Sequence, residues 1–86
     1  MKSLLSLAAL SLLASTAFAS PTCNVPEGQW MKEGDFKAKL EAQGYQIKTF
    51  KVTKGKCYEI YGTDKAGKKV EIYFNPATGA PVETKS

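Results

Sequence analysis

Residues 58–79, "YEIYGTDKAGKKVEIYFNPATG", decide how this chain folds. Two runs within them, 58–62 and 69–74, alternate apolar and polar residues with the period of a half-buried strand. Lys65, Ala66 and Gly67 suit a three-residue hairpin loop, a type I turn whose last residue is left-handed and makes a bulge. Asp64 then faces Lys68, and pairing runs on with Gly62 opposite Val70, Ile60 opposite Ile72 and Tyr58 opposite Phe74. A slip of one residue would set Ile60 against Glu71, so the loop and the apolar pattern require the same register. That register also fixes the other side of the hairpin, where Glu59 falls opposite Tyr73 and Tyr61 opposite Glu71.

The pattern extends in both directions. Downstream, "NPATG" (75–79) is a tight turn in which Pro76 sets φ. Residues 80–82 can add a short segment that Pro81 confines to a sheet edge, and 83–86 read as a polar tail. Upstream, "TKGK" (53–56) is a turn around Gly55. Residues 45–52 form a strand with a fault, since Ile47 belongs to one alternation and Phe50 and Val52 to the other. A bulge near Lys48–Thr49, or a strand that begins only after Ile47, would place all three toward the core. Residues 33–43 are rich in helix formers, with Phe36 and Leu40 one turn apart and Gly44 ending the helix. If Lys32, a poor capping residue, is the N-cap, Met31 can pack on Phe36 as a staple and Glu33 and Asp35 suit the first turn electrostatically, while Gly34 costs up to ~1 kcal/mol against Ala. The expected architecture is α+β, one short helix on a three-stranded antiparallel meander. One helix covers one side of such a sheet, so Glu59, Tyr61, Glu71 and Tyr73 are expected to stand in water as candidate binding residues.

The first 19 residues read as a signal peptide. Lys2 gives a positive head, residues 4–14 an apolar stretch, and Ala17-Phe18-Ala19 the small-residue cleavage site. Removing those 19 from the 86 leaves a chain of 67 residues, enough for one domain. An irregular arm (20–29) precedes the domain (30–82), and the protein is expected in the periplasm or outside the cell. Domains this small usually need a staple. Cys23 and Cys57 are the only cysteines. In an oxidising compartment they are expected to form a disulfide, which stabilises by about 4 kcal/mol in the chain-entropy model.

Every one of the 12 cations is Lys. Nucleic-acid readers rely on Arg forks, and dispersed lysines do not make that footprint, so no nucleic-acid partner is expected.

Together, Trp30 before a helix ending "LEAQGY", then "CYEIYG" (57–62), Asp64, "GKKVEIYF" (67–74) and "NPATG" (75–79), in this order and spacing, resemble the PepSY domain family over residues 30–82, in particular its small exported single-domain bacterial members. Asn75 stands where the family has Asp, and Asn can make the same side-chain-to-backbone turn. The resemblance implies a helix against an antiparallel sheet and a role like that of the propeptides of thermolysin-type metallopeptidases, the restraint of a peptidase. It carries over no catalytic residue and no cofactor.

The residues agree that the chain is not an enzyme. It contains no His, so the usual general base and the Ser–His and Cys–His nucleophile pairs are missing. Glu59 and Glu71 each lie opposite a Tyr, on a face expected to be open and without a pocket to raise a pKa. No metal-ligand spacing occurs. Two binding hypotheses follow. Tyr61 and Tyr73, flanked by Glu59 and Glu71, would serve contact with an envelope or secreted protein such as a peptidase. Alternatively Lys48, Lys51, Lys54 and Lys56 would hold the protein to anionic lipid or polysaccharide, without membrane insertion.

Overall fold

Ten residues, Glu33–Ala42, make α1, the one α-helix among the described residues. Lys32 is its N-cap and makes no side-chain cap bond. The computed structural model describes residues 20–85, and the expected signal peptide (1–19) lies outside them. A 3-10 turn at Glu27–Gln29 precedes α1. The strands β1 (Gln46–Val52), β2 (Tyr58–Thr63), β3 (Lys69–Phe74) and β4 (Pro81–Lys85) follow, forming one antiparallel sheet in the order β1-β2-β3-β4.

The central hairpin has the expected register. Tyr58 pairs with Phe74, Ile60 with Ile72 and Gly62 with Val70. Gly67 sits at φ +84°, a conformation that costs a side-chain-bearing residue. Asp64 closes the loop by accepting from the backbone N–H of Ala66 and Lys68 at 2.9 and 3.0 Å. The fault in β1 is a bulge between Ile47 and Thr49. It turns Ile47 and Phe50 to the same side, while Val52, expected beside them, stays 47% exposed.

The number of strands is corrected from three to four. Residues 83–85, expected as a tail, pair instead with β3, with Glu83 opposite Tyr73 and Lys85 opposite Glu71. Pro81 opens this strand at the outer edge, where its missing N–H leaves no ladder position empty. The turn before it forms as Asn75 Oδ1 accepts from the N–H of Ala77 and Thr78 at 2.8 and 3.3 Å, the role expected of Asn in place of Asp.

Helix α1 lies on one side of the sheet. Phe36 and Leu40 are buried there with Tyr58, Ile60, Ile72 and Phe74. Phe36 is the hub, its ring 4.8 Å from Tyr58 and 5.0 Å from Phe74, centroid to centroid. The polar tips at this core find backbone acceptors in the N-terminal segment. Trp30 Nε1 donates to the Val25 carbonyl at 2.8 Å, and the Tyr58 hydroxyl donates to that of Met31. Cys23 and Cys57 are joined as expected. The arm runs so close to the 53–56 turn that a side chain at Gly55 would collide with the Pro21 carbonyl oxygen.

Candidate functional site

The second side of the sheet carries the expected four residues in the expected register, Glu59 opposite Tyr73 and Tyr61 opposite Glu71. Their exposure differs from the expectation. Glu59 is only 3% exposed and Tyr73 only 4%, Glu71 is half-buried, and Tyr61 alone reaches solvent substantially, at 36%. The fourth strand is the main reason. It makes β3 an interior strand and sets Glu83 beside Tyr73 and Lys85 beside Glu71. The Lys85 ammonium lies 3.9 Å from Glu71 Oε1 and 6.0 Å from the centre of the Tyr73 ring. From β1, Lys51 lies over Tyr61 at 5.5 Å. Long lysine stems and tyrosine rings can cover a central strand without a second layer of structure.

Hydrogen bonding within the group is asymmetric. Both tyrosine hydroxyls donate to the same atom, Glu71 Oε2, at 3.1 Å from Tyr61 and 3.0 Å from Tyr73. Each hydroxyl has one proton, directed at Glu71, while both tyrosines also lie close enough to the Glu59 carboxyl to partly lower its pKa. Glu59 Oε2 is buried and receives no donor. The Glu59 carboxyl also lies in hydrogen-bonding contact with Glu71. The arrangement is satisfied when Glu59 keeps its proton and donates it to the Glu71 carboxylate. Burial first, and that hydrogen bond second, raise the Glu59 carboxyl above its ordinary value. The same bond is the largest influence on Glu71 and holds it below its ordinary value, helped by both tyrosines and Lys85. The Tyr61 hydroxyl is pushed up to about 12 by desolvation and then by its bond to Glu71. At Tyr73 the largest influence is a hydrogen bond with Ser20, which lowers its pKa. Burial and the two glutamates together outweigh it, so the net shift is upward.

A carboxyl–carboxylate pair with separated pKa values is the kind of group that performs acid–base chemistry when substrate can reach it. An open face was expected to leave both carboxyls unshifted, but burial raises Glu59. Glu59, the member of the pair with the raised pKa, is 97% covered, and solvent reaches the pair through the half-buried Glu71. Among the described residues no group of three or more His, Cys, Asp or Glu side chains could hold a metal ion.

The four lysines expected to form one cationic patch have different surroundings. Lys51 is engaged with Tyr61, and Lys56 lies 3.8 Å from Glu27 across the arm. Lys48 instead joins Lys69 in lining a groove of about 470 Å³ at the opposite end of the sheet from the disulfide, with Gln46, Tyr61, Gly62 and Thr63. Reading the strands singly missed this groove, because its residues come from three of them. The bulge at Lys48 was its one visible signal.

The sequence matches the family model described as "Peptidase propeptide and YPEB domain" over residues 3–85. No curated protein and no solved structure matches the chain.

Proposed function

The chain belongs to the peptidase propeptide and YPEB domain family, and on that premise we propose that it is an exported, non-catalytic module that binds a peptidase of the cell envelope and restrains it. The family match over nearly the whole chain carries this reading. The Cys23–Cys57 disulfide supports export, since such bonds persist in oxidising compartments. Among the described residues no helix is long and apolar enough to cross a membrane.

The division of labour on the polar side of the sheet supports a binding role. Tyr61 is the large amphipathic side chain presented outward, and Tyr is favoured at protein interfaces for that combination. Glu71 holds its hydroxyl, while Glu59 and Tyr73 lie beneath and fix the position of Glu71. Partner contact therefore falls to Tyr61 and the exposed part of Glu71. Glu59 and Tyr73 act as the support.

Affinity capture of envelope peptidases on the intact protein, followed by assay of each with a peptide substrate, tests the reading. We expect at least one captured peptidase to slow as the protein is titrated to equimolar amounts, with Tyr61→Ala weakening the effect while the fold is kept. Full activity of every captured peptidase at saturating protein would refute it.

A further inference from the structure

We propose that the free edge of β1, with the lysine-lined groove at its start, is a docking site for an extended acidic segment of a partner protein, which joins the sheet as an added strand. The proposal deepens the peptidase-binding reading and rests on it. Strand β1 pairs with β2 on one side only, so its other side presents backbone N–H and C=O groups without a strand partner among the described residues. The opposite edge, β4, is five residues long and begins with Pro81, whereas β1 runs for seven residues without a proline. Of the two edges β1 is the better template for main-chain pairing.

Side chains select the occupant. The groove is lined by Lys48 and Lys69 with Gln46, Thr63, Tyr61, Gly62 and the apolar Ile47, and no Asp or Glu lines it. Lys37, Lys56 and Lys85 each face a glutamate, while Lys48 and Lys69 have no ion pair among the described residues. Lys51 and Lys54 continue the positive charge along and beyond β1, both exposed. A second copy is the wrong occupant, because β1 against β1 would bring lysines of one copy beside those of the other. Anionic lipid would meet the charges and leave the backbone groups unpaired. An acidic strand satisfies both, since its alternate side chains pass along the lysines while its backbone completes the ladder.

The test uses the intact, disulfide-bonded protein and a seven-residue peptide alternating Glu and Val, matched in length to β1, followed by amide NMR and titration calorimetry. Two further peptides carry N-methyl groups at alternate residues, one in each phase, which keeps the carboxylates and removes one set of strand donors. We expect amide shifts concentrated in β1, binding that weakens as salt rises, and one methylated phase binding about tenfold more weakly than the parent. The Lys48→Glu, Lys69→Glu double variant should lose about tenfold or more in affinity. The proposal is overturned by absent binding, by shifts confined to β4, by equal binding of both methylated peptides, or by a response to phosphatidylglycerol vesicles alone. A double variant that still restrains the captured peptidase sinks this docking site and leaves the peptidase reading standing. Peptide binding without any peptidase inhibition does the reverse.

Discussion

Replacing Glu59 with Gln should stabilise the protein at neutral and mildly alkaline pH and change little in acid. In the unfolded chain Glu59 titrates near its ordinary value of 4.5, and in the folded protein it titrates higher. Between the two values the folded state keeps a proton that the unfolded state has lost, so stability falls as pH rises through that window. Glu71 shifts in the opposite direction, so its contribution is lost as pH falls from its ordinary 4.5 through its lowered folded value. The two carboxyls titrate as a pair, and stability from this group is greatest while the pair holds one proton. Above the window Glu59 is a buried anion whose Oε2 has no donor. Leaving such a group unsatisfied costs about 1–3 kcal/mol, more when it is charged. Gln has the same shape, stays neutral, and can donate its amide N–H to Glu71 at every pH. For a domain of this size we expect the melting temperature of Glu59→Gln at pH 8 to rise by roughly 5–10 °C, with no gain below about pH 4. Melting curves of both proteins from pH 3 to 9 read this directly, and a carboxyl NMR titration of Glu59 gives the window. A lower melting temperature for Glu59→Gln at pH 8, or parallel pH profiles for the two proteins, would refute the shared-proton arrangement.

Two further outcomes concern the frame that holds the site. Cys23→Ser or reduction should cost about 4 kcal/mol by releasing the 34-residue separation that the bond closes; a melting curve unmoved by reductant would contradict this. Gly62→Ala should cost about 1–3 kcal/mol, because the added methyl collides with the Gln46 carbonyl oxygen across the β1–β2 pairing and the backbone there must shift. Faster amide exchange in β1, with the β2–β3 hairpin spared, is the expected local signature.

The hairpin, its register, the bulge in β1 and the burial of Phe36 and Leu40 were legible because each follows from period and turn chemistry acting over a few residues. The disulfide was legible because two cysteines allow one pairing. The fourth strand was not, since the polar residues 83–85 earn their place only by lying beside β3. Glycine was read as a turn residue at 55, yet the left-handed residue of that turn is Lys56 (φ +68°), and Gly55 is needed to let Pro21 pass. Alternation determined which side of the sheet Glu59 and Tyr73 occupy. Whether that side is wet depended on which lysines and which strand fold over it, a matter of packing between segments far apart in the chain. The contact between the Glu59 and Glu71 carboxyls, and the groove between Lys48 and Lys69, follow from that packing for the same reason: each joins side chains from different strands, and only their assembly into one sheet sets the distances on which charge and hydrogen bonding depend.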